Sequence, residues 1–524
     1  MTAEGAPATQ ARDHSRRRLR LVSLAIALGG IERIASAVAG AARVSLMVWG
    51  LSKRDYGLYV AIFGIVNTAT LLDFGLHYGV LTAVARASGK DDADEVRRTI
   101  STGFTLYSIV SAVSALVLIP LAIVAPLRWV FGLQPDQVEV ARAVTVIGFG
   151  SLLLSMPTKV AISATTGLQE GYLASAFRTI STILQLAVLG AVVVFWRGML
   201  VPIVVASTVV DLALSGGFAA WVLRFRDERT RIARASVERS LVAPLLGSGA
   251  VFFTSNLASL FRRSLSAVWV AHALGTAEVP RFSIPFALFT IALTFTDLAA
   301  GSLLAPYGEA SARGDWGWVR RAYQSGLGAT LAAALLFAVL GGVHGASVVH
   351  LWTPSAPTPS PMLCVWFAIW LVSQAFTNSS VTLLNGIHAQ RIVMWAGLGE
   401  GLATVVATWA VVRHFGVEGV AAAMAGAGTL GAVALTFFAV PAVTGRRVTA
   451  SPGRLARLAV TAAAAAALAL ALEPLLVHQR TLVHVVLGAP PVAALFTLLC
   501  WRWVLNDAER ARVAGWIAAR RRRA

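Results

Sequence analysis

Six basic residues lie inside long apolar stretches of the chain, where an uncompensated charge is costly. If these stretches cross a membrane, each charge at mid-bilayer costs at least about 2.5–3.5 kcal/mol on insertion scales, so each is a candidate functional residue. Cationic groups that share a cavity would bind an anion, and the planar guanidinium fork suits phosphate in particular. The candidate substrate-binding residues are Arg33, Arg43, Lys159, Arg178, Arg262 and Arg263.

Several of these bases also have a purely structural explanation. Arg178 lies close enough to the end of its apolar stretch to extend its guanidinium to a membrane interface. Adjacent residues on a helix point about 100° apart, so Arg262 and Arg263 cannot both face one cavity squarely, and one of them could pair with Asp297. Arg33 could be tied to a neighbouring carboxylate. We expect at least two of the six to line a substrate path.

Acidic residues are fewer in these stretches, and we treat them as coupling or structural groups. Asp73 and His77 are four residues apart, which places them on one face of a helix. Such a couple could take up and release a proton, because histidine titrates near physiological pH. The alternative is that Asp73 and Asp297 are structural and bond to arginines or backbone at equivalent points of the chain. Glu32, beside Arg33, completes the set.

Signatures of enzymatic chemistry are missing. The chain has no glycine-rich phosphate loop ending in Gly-Lys-Ser/Thr, no nucleophile elbow, and no His, Cys or carboxylate cluster with metal-ligand spacing. Cys364 and Cys500 are both predicted within helices, so no disulfide framework is inferred. Two further acids, Asp211 and Glu400, have no partner visible from the sequence. We therefore expect no enzymatic activity, no cofactor and no metal.

The elements that carry these residues are predicted to be membrane-spanning helices. The 524 residues are 57% hydrophobic and 13% charged, whereas a soluble domain is about 25% charged. About 20 apolar residues cross a hydrocarbon core of about 30 Å, and backbone in lipid must be hydrogen-bonded within its own segment. The predicted fold class is all-α and polytopic, with about fourteen spans at 21–49, 57–83, 99–125, 140–163, 173–196, 200–223, 242–271, 282–305, 323–345, 362–386, 393–413, 417–441, 456–476 and 482–504.

The net charge of +19 suggests a nucleic-acid partner, but the distribution of the charge argues against one. If the N-terminus is cytoplasmic, about 30 Lys and Arg fall in inside loops and tails and about 8 in outside loops. This asymmetry follows the positive-inside rule. Arginine outnumbers lysine by 41 to 3, which is typical of a GC-rich bacterial genome. We therefore expect a multi-pass protein of the bacterial cytoplasmic membrane with both termini inside, and no nucleic-acid binding.

Two distant stretches of the chain have nearly the same pattern. Residues 87–98 read Ala-Ser-x-Lys-x-Asp-x-x-x-Val-Arg-Arg, and residues 310–321 repeat this with Arg in place of Lys. Asp73 and Asp297 are separated by nearly the same interval as the two stretches, and so are Gly167 and Gly386. Six predicted spans, an even number, separate the copies, so the repeats are parallel. A long parallel repeat in a hydrophobic chain is typical of a transporter with two lobes and a substrate path between them.

The repeat and the hydropathy together predict the domain organisation. The last two spans have no counterpart in the first lobe, and the charged linker is expected to form a short helix at the cytoplasmic surface. The predicted regions are a basic N-terminal tail (1–19), the N-lobe with spans 1–6 (20–224), the linker (225–241), the C-lobe with spans 7–12 (242–443), spans 13 and 14 (444–504) and a basic C-terminal tail (505–524).

Four phrases carry a family resemblance over about 20–445. They are Leu-Ser-Lys-Arg-Asp-Tyr-Gly-Leu-Tyr at 51–59, Leu-Asp-Phe-Gly-Leu at 72–76, Pro-Tyr-Gly-Glu-Ala-Ser-Ala-Arg-Gly-Asp at 306–315 and Leu-Asn-Gly-Ile at 384–387. With them the chain resembles the polysaccharide transporters, the Wzx-like O-antigen and teichoic-acid flippases. These belong to the multidrug/oligosaccharidyl-lipid/polysaccharide (MOP, MATE-like) exporter superfamily.

The resemblance implies a V-shaped bundle that moves an undecaprenyl-diphosphate-linked oligosaccharide to the outer leaflet by alternating access. Basic residues of the cavity would hold the diphosphate and sugar, and by this analogy Arg33, Arg43 and Arg263 are carried across. The expected partners are the lipid-linked oligosaccharide and membrane lipids, with glycan-assembly proteins as further candidates. The expected process is polysaccharide biosynthesis for the cell envelope, including lipopolysaccharide.

Other functions remain open at this point. A drug exporter of the same superfamily, or a major-facilitator exporter, coupled to H⁺ or Na⁺, would also have two six-helix lobes; a cation exporter should have a mainly acidic cavity. A membrane glycan polymerase or ligase, or a glycosyltransferase, would be expected to carry a large external domain, for which the predicted outside loops leave no room. A scaffold for envelope assembly would tolerate neutralisation of every cavity arginine.

Overall fold

A computed structural model of the chain describes residues 6–246, 265–301, 303–476 and 481–507, with a few more up to residue 515. Within these ranges the chain is helical and contains no β-strand. Contacts divide it into two compact units, Met1–Leu260 and Phe261–Ala524. The longer helices are α1 (Ala6–Gly50), α2 (Lys53–Val66), α3 (Leu76–Gly89), α4 (Ala93–Val124), α5 (Val138–Ser155), α6 (Lys159–Gly167), α7 (Gly171–Phe195), α8 (Leu200–Ala220), α9 (Leu265–Leu274), α10 (Val279–Gly301), α11 (Leu304–Ala312), α12 (Trp316–Trp352), α13 (Pro361–Gly386), α14 (Gln390–Val433), α15 (Pro452–Leu476) and α16 (Thr481–Leu499).

Eleven helical segments of the described chain are long and apolar enough to cross a membrane, so this is a multi-pass membrane protein. One of them, Gln390–Val443, breaks at Gly416 (φ 59°, ψ −146°) and covers two of the predicted spans. The first predicted span lies on α1, and most of the seventh, 242–271, lies outside the described residues. The all-α polytopic fold class is confirmed, with the number of spans approximately as predicted.

Two membrane segments of the first unit are interrupted. The segment Lys53–Gly89 passes from α2 through a 3₁₀ turn into α3, with left-handed backbone at Phe74 (φ 48°) and Gly75 (φ 75°). The segment Pro135–Gly167 breaks between α5 and α6, around Pro157. Broken backbone at membrane depth is tolerated only where protein or water satisfies the freed hydrogen-bonding groups. Polar groups are therefore expected beside both breaks, where they can bond to the freed backbone groups.

The two copies of the repeat adopt the same local backbone. Asp91 (φ 56°) and Gly314 (φ 74°) occupy the same left-handed position, one in each copy. The next residues, Asp92 and Asp315, each cap the following helix by accepting a backbone N–H three residues later, at 2.8 and 2.9 Å. An aspartate at this position satisfies one of the unpaired N–H groups of the first helical turn. The repeated aspartates are therefore helix caps.

A repeated glycine marks a close helix contact in each unit. A Cβ on Gly167 would lie 2.8 Å from the carbonyl oxygen of Leu81, and a Cβ on Gly386 would lie 2.8 Å from that of Leu304. These contacts join α3 to α6 and α11 to α13. The helix pairs α1–α7 and α3–α4 of the first unit likewise correspond to α9–α14 and α11–α12 of the second. The parallel repeat is thus a repeat of packing as well as of sequence.

The linker after α8 is not the short helix that the sequence predicts. It forms a π turn and three 3₁₀ turns, because it is anchored on α4 through backbone groups that a helix would use internally. The N–H of Ala233 donates to Ser101 Oγ at 3.2 Å, and the N–H of Glu238 donates to Thr102 Oγ1 at 2.9 Å. The turns are Trp221–Arg226, Glu228–Thr230, Arg234–Ser236 and Arg239–Leu241.

The C-terminal helices α15 and α16 pack on each other and on α12 within the second unit. Small residues of α15, including Ala465 and Ala469, allow this close approach, and Phe496 of α16 completes the core. Beyond α16, Glu509 pairs with Arg454 of α15 and accepts a hydrogen bond from Ser325 of α12 at 2.7 Å. The predicted appendix of two helices is therefore fastened to the ninth predicted span.

Candidate functional site

Asp73 lies at the break in the second span and is surrounded by donors from three helices. Its Oδ1 accepts the backbone N–H of His77 at 3.1 Å and the hydroxyl of Tyr107 at 2.8 Å. Its Oδ2 lies 3.4 Å from Nζ of Lys159. The carboxylate thus caps the start of α3, where the helix break frees backbone N–H groups. Asp73 ties together α3, α4 and α6.

The prediction that Asp73 and His77 share one helix face is wrong. Phe74 and Gly75 are left-handed and interrupt the helix between them, so the carboxylate contacts the backbone of His77. The imidazole instead places Nδ1 2.7 Å from Ser163 Oγ, on α6. The two titratable side chains therefore have different hydrogen-bond partners, although each has one partner on α6.

Arg178 forms a two-pronged ion pair with Glu32. Its Nε and Nη2 donate to the two carboxylate oxygens at 2.6 and 3.1 Å, which joins α7 to α1. Two parallel N–H···O bonds of this kind hold a guanidinium in a defined orientation. The Arg178 side chain is 43% exposed and that of Glu32 17%. The sequence suggests substrate binding or extension to the membrane interface for Arg178, and neither prediction includes this pairing with Glu32.

A second polar chain connects Arg43 to Asp211. Arg43 Nη2 donates to Gln185 Oε1 at 3.1 Å, and Gln185 Nε2 donates to Asp211 Oδ1 at 2.9 Å. The amide of Gln185 thus bridges the guanidinium of Arg43 and the carboxylate of Asp211. Asp211, which has no partner visible from the sequence, is one end of this chain.

Lys159 and Arg178 line one polar cavity of about 280 Å³ within the first unit. Its wall also includes Gln185, Asp211 and hydroxyl residues of α7 such as Ser181. Two of the six predicted bases are therefore brought together, and Arg43 reaches the same wall through Gln185. Arg33 is exposed on α1 and is not among the lining residues.

In the second unit the position equivalent to Lys159 is occupied by Asn378. Asn378 Nδ2 donates to the two carboxylate oxygens of Asp297, at 2.8 and 3.0 Å. Asn378 follows Lys159 by the same interval along the chain by which Gly386 follows Gly167. Lys159, which pairs with Asp73 in the first unit, thus corresponds to an uncharged amide that bonds to the equivalent carboxylate. Arg262 and Arg263, the predicted bases of this lobe, lie outside the described residues.

The uncharged members of these clusters are not predicted from the sequence. Tyr107, Ser163 and Gln185 each complete a hydrogen bond to a charged or titratable group. A second buried pair joins Gln374 to Glu400 at 2.9 Å in the second unit. Polar residues within spans are a general signal, since they are usually buried in the bundle when they occur in lipid. That signal does not say which acid or base each one contacts.

One group in the described part of the chain could hold a metal ion. His344, Glu473 and His484 offer ligand atoms that all lie within 4.8 Å of one another, in the second unit. They come from α12, α15 and α16, which explains why spacing along the sequence does not reveal them.

No protein-family model matches this sequence, and no curated protein matches it. Solved structures share its fold. It is similar to a multidrug resistance MATE family transporter of the MOP superfamily in an inward-facing conformation, with a TM-score of 0.67 at 16% identity over 79% of this chain and 95% of that one. It is similar to the lipid II flippase MurJ in an inward closed conformation, with a TM-score of 0.66 at 12% identity over 91% and 99%.

A third similar structure is a MOP superfamily transporter from Pyrococcus furiosus, described as having a binding pocket of reverse polarity that suggests a different function. Its TM-score is 0.59 at 15% identity, over 82% of this chain and 96% of that one. At such identities the likeness concerns the fold. The chain therefore has the helical fold of MATE transporters and of the MurJ flippase.

Proposed function

We propose that this protein is a membrane transporter that flips a polyprenyl-diphosphate-linked oligosaccharide across the bacterial cytoplasmic membrane by alternating access. The observation that carries the proposal is the polar cavity of the first unit, lined by Lys159 and Arg178 at the level of a broken span. The fold shared with the lipid II flippase MurJ supports it. Membrane lipids and glycan-assembly proteins are the partners that this role implies, and both termini are cytoplasmic on the charge distribution.

The bases of the cavity are held in place by acids that a diphosphate would displace. Lys159 lies against Asp73, and Arg178 against Glu32, so each cation is oriented before cargo arrives. Diphosphate oxygens would take over these contacts, because phosphate accepts the same forked hydrogen bonds as carboxylate. When cargo leaves, the carboxylates return to their cations and keep the empty site neutral. We propose this exchange as the reason why the cavity contains both signs of charge.

The polyprenyl chain needs an apolar path, and the second unit has an apolar cavity of about 760 Å³. Its lining comes from α12 to α15 and from the π turn Ala434–Ala439 after α14, and includes Phe376, Phe437 and Leu470. An apolar lining of this kind would let isoprenoid units pass from one leaflet to the other without exposure to water.

The membrane potential can supply the direction of transport. An anionic headgroup that moves outward moves down the usual inside-negative potential. At about 2.3 kcal/mol per charge per 100 mV, two charges yield about 4.6 kcal/mol. No coupling ion is then required, and collapse of the potential in sealed vesicles should slow net export.

A second candidate is a drug exporter coupled to an ion, favoured by one observation. The cavity that holds Lys159 and Arg178 also presents Asp211, and the acids Asp73 and Glu32 lie directly behind the two bases. If cargo were cationic, these carboxylates would be the binding groups. MATE transporters are among the similar structures.

Binding to the purified protein separates the two candidates. We expect a fluorescent polyprenyl-diphosphate oligosaccharide to bind the wild type, and the Kd to rise at least about tenfold in Lys159→Ala or Arg178→Ala, because each variant removes a charge-assisted contact worth about 1.5–3 kcal/mol. Lys90→Ala is the matched control, since Lys90 is exposed at the end of α3. Binding of an organic cation that Lys159→Ala leaves intact and Asp211→Asn abolishes would support the exporter instead.

A further inference from the structure

A cluster of two histidines and a glutamate joins the two C-terminal helices to α12. His344 Nδ1 lies 3.2 Å from His484 Nε2, and His484 Nε2 lies 3.3 Å from Glu473 Oε2. Both imidazoles are almost completely buried, with His344 1% and His484 6% exposed. Gly488, one turn beyond His484, leaves the space for the His344 ring, since a Cβ there would lie 2.8 Å from His344 Cε1.

His344 Nδ1 contacts His484 Nε2 at 3.2 Å, but two other polar atoms of the cluster have no hydrogen-bond partner among the described residues. Glu473 Oε2 and His344 Nε2 are buried and make no hydrogen bond with the described residues. His484 Nδ1 lies 3.3 Å from the carbonyl oxygen of Leu476, so a neutral ring that donates there presents a lone pair at Nε2. That lone pair faces the lone pairs of Glu473. Neutral imidazoles therefore give this carboxylate no donor, and a cation between the three groups would resolve the conflict.

We propose that His344, Glu473 and His484 bind a zinc-class divalent metal ion. Two imidazole nitrogens and one carboxylate oxygen are a common zinc ligand set, and ligands about 2.0–2.1 Å from a tetrahedral ion lie about 3.3 Å from each other. With His344 Nδ1, His484 Nε2 and Glu473 Oε2 as the ligand atoms, two separations, 3.2 and 3.3 Å, match this spacing, and the three residues offer ligand atoms that all lie within 4.8 Å of one another. The contact of His484 with Leu476 is the outer hydrogen bond that metal-bound histidines usually make.

The site would fasten the C-terminal helices at the end of α12 opposite to the Glu509 contact. Ser325 and His344 lie at well-separated positions on α12, about 28 Å apart along the helix at about 1.5 Å per residue. Glu473 also lines the apolar cavity of the second unit, which leaves the fourth coordination position open toward that cavity. On the predicted orientation, the metal end faces outward, where extracellular zinc could reach it.

The test uses the full-length protein in detergent, purified on a tag without histidines and stripped with EDTA. We expect Zn²⁺ to bind once per chain in calorimetry and to raise the thermal midpoint by about 5 °C at about 100 times its Kd. Co²⁺ should give the visible absorption of a tetrahedral nitrogen and oxygen site, and Mg²⁺ should have no effect, because it prefers oxygen ligands in an octahedron.

Variants separate this site from other histidines. His484→Ala and Glu473→Gln should each weaken Zn²⁺ binding at least about tenfold. His414→Ala, a change of an exposed histidine outside the cluster, should leave it unchanged. Glu473→Gln keeps the shape of the side chain, so it remains informative if an alanine variant fails to fold. A wild type without Zn²⁺ binding overturns the proposal, as does binding that survives His484→Ala.

A third outcome identifies a proton as the occupant. In that case the wild type shows no shift with Zn²⁺, but its midpoint rises as the pH falls through the range of imidazole, and Glu473→Gln removes the rise. This result would also reject the metal. All of these readouts concern binding and stability, so they do not depend on whether the cargo is a lipid-linked glycan.

Discussion

The two repeats keep the same scaffold and differ in the chemistry at one matched position. In both, an aspartate caps a helix at the same turn, and a glycine allows two helices to touch at a backbone carbonyl. In the first repeat Asp73 faces Lys159, and in the second Asp297 faces Asn378. The comparison indicates that both copies have the same packing, and that the base Lys159 of the first corresponds to the uncharged amide Asn378 of the second. Within the described residues, the predicted bases Lys159 and Arg178 line a cavity of the first unit.

The largest expected effect tests the shared scaffold. Gly167→Ala and Gly386→Ala each place a Cβ 2.8 Å from a backbone oxygen, which neither helix can relieve without moving. We expect both to destabilise the protein by about 3 kcal/mol, the upper range of overpacking costs. The measurement is unfolding of each variant in detergent.

Gly150→Ala and Gly426→Ala are the matched controls, one in each unit, because a Cβ at either position meets nothing within 4 Å. They should be neutral or slightly stabilising, since alanine is the better helix former. A large loss for one member of the repeated pair and none for the other would show that the two contacts are not equivalent.

The second prediction concerns the matched pair Lys159 and Asn378, at which the two repeats differ in charge. Lys159→Asn gives the first unit the residue of the second and removes the charge that faces Asp73. We expect transport to fall at least about tenfold, or about 1.4 kcal/mol, with little change in stability. Asn378→Lys, the reverse exchange, should not restore transport in a protein that also carries Lys159→Asn. If Lys159→Asn transports the lipid as fast as the wild type, the charge of Lys159 is not needed for transport.

A smaller effect is expected from the Arg178 ion pair. Glu32→Gln removes the carboxylate that the diphosphate is proposed to displace, so the Kd for the lipid should fall by about threefold, about 0.7 kcal/mol. Stability should change little, because the Arg178 side chain is 43% exposed and the pair is screened. Weaker binding in this variant would contradict the proposed exchange. Asp227→Asn, which breaks an ion pair with Arg229 outside the cavity, is the control.

The smallest effect lies at the far end of the second unit. Burial raises the pKa of Glu509, but bonds from Ser325, the backbone of Asn506 and Arg454 outweigh it and hold the pKa below its usual value of 4.5. A lowered pKa in the folded state stabilises the fold above pH 4.5, and this contribution disappears as the pH falls through the folded-state value. The difference in unfolding free energy between wild type and Glu509→Gln should be at most about 1 kcal/mol at pH 7 and should vanish in acid.

Much of the fold follows from the sequence because lipid leaves the backbone few options. Apolar runs predict spanning helices, and the similar stretches at 87–98 and 310–321 predict the repeated packing. The breaks at Phe74 and Gly75 were harder to foresee, since a phenylalanine in left-handed conformation depends on tertiary contacts. The same break explains why the spacing of Asp73 and His77 leads to a wrong prediction.

The candidate site is predictable only in part. Charged residues in apolar runs stand out, and Lys159 and Arg178 do line one cavity. Their partners do not stand out, because Tyr107 and Gln185 are uncharged and come from other helices. The cluster of His344 and His484 joins helices that are far apart along the chain, which no local spacing could reveal.

Translocation of a fluorescent polyprenyl-diphosphate oligosaccharide in sealed proteoliposomes tests the central claim most directly. The wild type should move the lipid to the opposite leaflet, faster with an inside-negative potential, and Lys159→Asn should move it at least about tenfold more slowly while Lys90→Asn matches the wild type. A wild type that does not move this lipid but extrudes an organic cation would contradict the account and favour the ion-coupled exporter.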